Sequence, residues 1–118
     1  NAFVGAAYEE IALEWIKEQK RYRDFLFGRW WDKNEEVDIV GIDKQNNRMV
    51  LGEVKWKYVK KKEAAQIINK LEEKSSLVKW GANPGREFIL LAKKISAEDK
   101  EGLNKEGYTV FDIDDVIA

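Results

Sequence analysis

The stretch "VDIVGIDKQNNRMVLGEVKWK", residues 37–57, decides how the chain folds. Two runs of strand-forming residues, Glu36–Ile42 and Met49–Lys57, flank "DKQNNR", whose paired asparagines suit a hairpin turn. Both runs are apolar enough to be buried, yet they carry Asp38, Glu53 and Lys55. Side chains alternate along a strand, so Glu53 and Lys55 share a face while Val54 points to the other. Antiparallel pairing about Gln45-Asn46 sets Asp38 opposite Glu53, and pairing about Asn46-Asn47 sets it opposite Lys55. Either register gathers the three charges on one face, whereas an odd-numbered slip separates them. Gly41 and Gly52 each offer a place for a bulge that would change this count.

Two carboxylates side by side repel unless something positive lies between them. Asp and Glu oxygens are preferred ligands of hard divalent cations. Such a cation shields phosphodiester charge and lowers the pKa of bound water, and a neighbouring Lys can orient that water or stabilise charge developing on phosphate. The plainer explanation is a ladder of solvated ion pairs, each worth about 0.2–1 kcal/mol. The apolar flanks "VDIVGI" and "LGEVKW" favour a site.

Composition narrows the chemistry further. The 118 residues suit one domain, and 44% hydrophobic content with 12% aromatics is ample for a core. Neither cysteine nor histidine is present, which excludes disulfides, thiolate catalysis, zinc–sulfur sites and the usual general base. Hydrolysis would rest on carboxylates, Lys, Tyr, Ser or Thr with a hard cation. No run approaches the roughly 20 apolar residues of a membrane span. A charged fraction of 36%, mainly Lys and Glu, fits an intracellular, cytoplasmic protein of a thermophile. The net charge of −1 gives no global attraction to nucleic acid, so any binding face must be local.

Working outward, residues 3–20 place Val4, Tyr8, Ile11 and Trp15 at helical spacing, widened by Ala12 and Ile16. "RYRDFLFGRWWDK" (21–33) predicts a first strand near Asp24–Trp31 with Gly28 as a bulge. Residues 60–80 predict a helix with Ala64, Ile67, Ile68, Leu71 and Val78 inward. "EFILLA" (87–92) reads as a buried strand of a mixed sheet. Ser96 with Asp99 opens a third helix ending near Gly107. "YTVFDI" (108–113) is a last strand, and "DDVIA" starts a final turn. The order α-β-β-β-α-β-α-β is an α/β layer architecture.

Asp38 followed by Glu53-Val54-Lys55 resembles the PD-(D/E)XK nuclease superfamily, the restriction-endonuclease-like fold. The resemblance extends to Gly5-x-x-Tyr8-Glu9, like the Gly-x-x-aromatic-Glu of that fold's first helix. It also reaches Gln66, placed like a Gln of archaeal Holliday-junction resolvases. "GRWWDKNEEVDIVGID…LGEVKW" is similar to the nuclease-like C-terminal domain of archaeal AAA-type ATPases. One departure is Val37, where the motif's name has Pro.

The resemblance implies an αβββαβ core, a mixed sheet flanked by helices, with an extra C-terminal helix and strand. It implies a single domain over 1–118, excised from a longer chain. Asp38, Glu53 and Lys55 would be catalytic. Asp38, Glu53 and the Val54 carbonyl would ligate Mg²⁺ or Mn²⁺, with Glu9 as an outer or second ligand. Glu10 and Gln66 are accessory candidates. Beyond the motif, "WKYVKKK" interleaves Trp56 and Tyr58 with Lys57, Lys60, Lys61 and Lys62, a pattern that suits a phosphate backbone with rings for unpaired bases. The leading expectation is a metal-dependent deoxyribonuclease domain acting on DNA of unspecified structure, with a homodimer or a fused ATPase domain supplying further affinity. The alternative is a non-catalytic interaction domain of an archaeal-type ATPase that keeps the fold.

Overall fold

The computed structural model describes residues 2–32 and 34–118, so Asn1 and Lys33 (the latter inside the stretch quoted for the similarity) lie outside the described residues. The elements are α1 (Ala2–Glu18), a 3₁₀ turn (Lys20–Tyr22), β1 (Leu26–Asp32), β2 (Glu35–Asp43), β3 (Arg48–Tyr58), α2 (Lys61–Ser75), β4 (Gly85–Lys94), α3 (Ala97–Lys105), β5 (Thr109–Phe111) and α4 (Ile113–Ile117). One sheet holds all five strands in the order β1-β2-β3-β4-β5. β1, β2 and β3 are antiparallel neighbours, and β4 and β5 continue parallel to β3. This is the expected mixed α/β sheet flanked by helices, and the final turn is a short helix capped by Asp112.

The hairpin takes the first of the two predicted registers. Pairs run from Ile39–Gly52 to Asp43–Arg48 without a break, so neither Gly41 nor Gly52 is a bulge. Asp43 holds the turn by accepting from the Asn46 backbone N–H and side-chain amide at 3.2 and 2.8 Å. Asn47 takes the left-handed conformation with φ 53°, which Asn tolerates better than most residues. Gly52 serves close packing: a Cβ there would meet Ile89 at 2.9 Å and Ile39 at 3.2 Å.

A bulge does occur, but in β2. Gly28 pairs with Val40 and Trp30 with Val37, so Asp38 and Ile39 together oppose Arg29. The expectation at Gly28 found the right neighbourhood and the wrong strand. An extra residue of this kind bends a strand and re-aims its side chains, and here it falls on Asp38.

β4 is covered on both faces: Ile89, Leu90, Leu91 and Ala92 are all fully buried. On one side Ala12 and Ile16 of α1, with Tyr22 and Phe25, pack on Ile39, Val50, Ile89 and Leu91. On the other, Ala64 and Ile68 of α2 and Leu103 of α3 meet Leu90 and Ala92, while Leu71 meets Met49 and Leu51. α2 is shorter than expected and stops at Ser75, whose carbonyl and hydroxyl accept from Arg86; Val78 is buried beyond it.

α1 corrects a second expectation. Its inward row is Tyr8, Ala12 and Ile16, whereas Ile11 is 54% exposed. The helix is turned by about one residue because Gly5 and Tyr8 close over Trp56, the Tyr8 and Trp56 rings lying 4.8 Å apart. Ile16→Ala should therefore cost about 2–5 kcal/mol in urea unfolding, and Ile11→Ala no more than about 0.5 kcal/mol. Equal costs would contradict this orientation of α1.

Candidate active site

The site is assembled from α1, β1, β2, β3 and α2. Tyr8 pins α1 to the sheet, its hydroxyl donating to the Ala92 carbonyl at 2.7 Å. The next residue, Glu9, is thereby aimed at the β1–β2 ribbon, where Arg29 lies 3.2 Å from its carboxylate. Burial holds the Glu9 carboxyl above its ordinary pKa; the charge of Asp38 and a hydrogen bond between the two carboxyls push the same way, and Arg29 opposes them.

Asp38 lies one step past the last β2–β3 pair, Ile39–Gly52. In place of a strand-to-strand bond, its Oδ2 accepts the Val54 backbone N–H at 2.9 Å. Glu53 is almost fully buried, and burial first and Asp38 second push its carboxyl up to about 7. The Lys74 ammonium opposes that rise from 2.7 Å, while also donating to the Glu36 carbonyl at 2.8 Å. Asp38 thus stands between two acids, each with its own counter-charge.

Lys55 follows Glu53 by two residues on the same face of β3, is exposed, and makes no ion pair among the described residues. It lines a cleft of about 230 Å³ in which Lys55, Lys57, Lys70 and Lys74 surround Glu53 over a floor of Ile67 and Leu71. Lys57 also pairs with Glu63. The other candidates lie elsewhere. Glu10 faces away, into a shallow groove with Ile11 and Glu14. Gln66 is exposed on α2 outside the cleft lining. Trp56 is packed against Tyr8 and beneath the Lys93 ammonium, on the α1 side of the sheet. Tyr58 is about half exposed. Lys60, Lys61 and Lys62 stand at the α2 N-terminus away from the cleft, with Lys61 paired to Glu106.

Sequence reasoning missed Arg29, Lys70 and Lys74. A signal for the two lysines existed: Ile67, Lys70, Leu71 and Lys74 repeat at helical neighbour spacing, so inward Ile67 and Leu71 carry both lysines to the sheet's edge. Arg29 depends on the bulge and left no such trace.

For a hard cation, the donor chemistry of Glu9, Asp38 and Glu53 is right: carboxylate oxygens, those of Asp38 and Glu53 buried and those of Glu9 partly so, with Asp38 close enough to raise the proton affinity of both glutamates. Among the described residues no three acidic side chains converge as a ready-made cage. Two carboxylates with water completing the shell are a common arrangement for Mg²⁺.

A buried, carboxylate-bearing hairpin in a mixed five-stranded sheet defines a nuclease-like α/β fold, and solved structures bear this out. A repair endonuclease from Pyrococcus abyssi matches with TM-score 0.50 and 24% identity over 89% of this chain and 46% of that one. EndoMS in apo form matches with TM-score 0.58 and 18% identity over 92% and 45%. The EndoMS–dsDNA2 complex matches with TM-score 0.50 and 18% identity over 92% and 43%. The chain itself belongs to the family described as archaeal and bacterial proteins of unknown function, DUF234, whose pattern matches residues 1–67. It is also 28% identical, over 104 residues, to the uncharacterized protein MJECL04 of Methanocaldococcus jannaschii. The match covers 84% of this chain but only 24% of that relative.

A carboxyl whose pKa is raised by folding binds its proton more tightly in the folded state. The stability it contributes is full below the unfolded value of about 4.5 and is lost as pH rises through about 7. Glu53→Gln removes that titration, so relative to the wild type it should gain roughly 3 kcal/mol between pH 4 and pH 8, at about 1.4 kcal/mol per pH unit. Urea unfolding of both proteins across this range checks it; a constant difference would mean that Glu53 titrates normally.

Proposed function

We propose that this domain is a metal-dependent DNA phosphodiester hydrolase of the endonuclease type, using Mg²⁺ or Mn²⁺. The observation that carries the reading is the burial of Asp38 and Glu53 side by side at a lysine-lined cleft. A scaffold has no need of this, since buried acids can be replaced by apolar residues without loss of stability. The endonuclease neighbours, one of them complexed with double-stranded DNA, supply the same fold.

Asp38, Glu53 and the Val54 carbonyl would hold the cation, with Glu9 beside Asp38 as an outer or second ligand. When bound, it would neutralise phosphate charge and lower the pKa of a water molecule. Lys55, exposed and without an ion-pair partner among the described residues, would orient the attacking water and stabilise negative charge developing on the phosphate. Lys57 and Lys70 flank it and would hold the phosphate backbone. At a net charge of −1, affinity for DNA must come from this local cluster. Against the expectation of stacking at Trp56, its ring is occupied by Tyr8 and Lys93, so recognition would be of phosphates more than of bases. The short match to the Methanocaldococcus relative supports reading the domain as one part of a longer protein.

The test is Mn²⁺ titration by calorimetry, followed by cleavage of duplex, single-stranded and four-way-junction DNA. Asp38→Ala should lose Mn²⁺ binding. Lys55→Ala should keep it and cut at least about 100-fold more slowly. Lys70→Ala should still cut, with the salt dependence of DNA affinity falling by about one unit in log–log slope. A wild type that binds no Mn²⁺ would overturn the reading in favour of an interaction module.

A further inference from the structure

Lys74 belongs to the last turn of α2, in the cleft but not free in it. Its side chain is 18% exposed, and its ammonium reaches across to both strands of the hairpin, 2.7 Å from Glu53 Oε1 and 2.8 Å from the Glu36 carbonyl. Such a pair is an unusual choice for stability, because desolvating both ions offsets much of their attraction. Its neighbour one turn earlier, Lys70, lines the same cleft, is exposed, and makes no ion pair among the described residues. Lys55 is the same. Of the four cleft lysines, Lys74 alone is spent on Glu53.

We propose that Lys74 is the resident counter-ion of the metal-free site: its ammonium stands where a divalent cation must bind Glu53, so cation binding displaces it. The inference rests on the metal-dependent reading above. A divalent ion ligated by Glu53 and a primary ammonium hydrogen-bonded to the same carboxylate repel at contact distance. The ammonium has an alternative to Glu53, since its flexible four-carbon stem opens onto the cleft beside Lys70. Released, Lys74 adds a charge where the phosphates would lie. Metal-free protein therefore presents a Glu53 neutralised by Lys74 and three other cleft lysines, of which Lys57 is shared with Glu63, and metal-bound protein presents four. The exchange sets a threshold cation concentration for the site and raises its affinity for polyanions only after the cation has entered.

Two measurements on the intact chain test this at pH 8. The first is reductive methylation of the wild type, read residue by residue by mass spectrometry. Lys74 should react several-fold more slowly than Lys70 without metal and approach it when Mn²⁺ is added. The second is Mn²⁺ titration of Lys74→Met, Lys74→Gln and Lys70→Met. Either Lys74 variant should bind at least about tenfold more tightly than wild type. Lys70→Met, which removes the same charge one turn away, should stay within about threefold.

Mn²⁺ binding with Lys74 still protected, or Lys74 and Lys70 variants gaining equally, would overturn the displacement and leave the metal site standing. No Mn²⁺ binding by the wild type or any variant would overturn both. If the Lys74 variants fail to fold, methylation of the wild type still decides.

Discussion

The backbone pairing between β2 and β3 ends at Ile39–Gly52, and from there the Asp38 carboxylate, accepting the Val54 N–H, holds the two strands together. That substitution of a side chain for a ladder bond is what the rest of the molecule is arranged around. It requires the β2 bulge opposite Arg29, because regular alternation would not leave both Val37 and Val40 in the core on the α2 side with Asp38 between them. It also requires lids on both sides. α1 closes one, pinned by Tyr8 to Ala92 so that Glu9 meets Asp38. α2 closes the other and brings Lys74 to Glu53.

Burying Asp38 and Glu53, with Glu9 partly buried beside them, works against folding. Desolvation is the first cause of the raised proton affinity of both Glu9 and Glu53, and their shared neighbour Asp38 is the second. Arg29 and Lys74 relieve the crowding from opposite sides without removing it. Apolar residues in such positions are often at least as stable, so the arrangement carries a stability cost that the proposed metal-dependent chemistry would account for.

The hairpin and the shared face of its charges were legible because two independent constraints agree, while the choice between the two registers was settled only by the pairing. Alternation put Asp38 and Glu53 on one face in either register, and the asparagines confined the turn to residues 45–47. The Ser96 cap on α3 was equally local, and Ser96 Oγ does accept from Asp99 N–H. α1 was misread by one residue because hydropathy weights Ile11 above Ala12. Close approach to Trp56 favours the row of small residues, Gly5 and Ala12, over the greasier one. Lys70 and Lys74 escaped notice since their role exists only once α2 lies along β3, some twenty residues upstream. The bulge is a relation between two strands, so the glycine that hinted at it sits in the strand that does not contain it.

β3 shows why the acids and the lysine can have different characters although they are neighbours. Its residues facing α2 run Met49, Leu51, Glu53, Lys55, Lys57, and that series passes from fully buried at Met49 and Leu51 to exposed at Lys55 and Lys57. Glu53 is the last buried position and Lys55 the first exposed one. The carboxylate is therefore desolvated, with its proton affinity raised, while the ammonium two residues on stays hydrated and unpaired. A strand lying wholly inside the core would have desolvated both, and one wholly at the surface would have left an ordinary ion-pair ladder. The difference comes from where α2 ends its cover of the sheet: Leu71 and Ile67 floor the cleft, and beyond them β3 runs out toward solvent. The proposed site sits at that crossing, set by where one helix covers the sheet as much as by the motif itself.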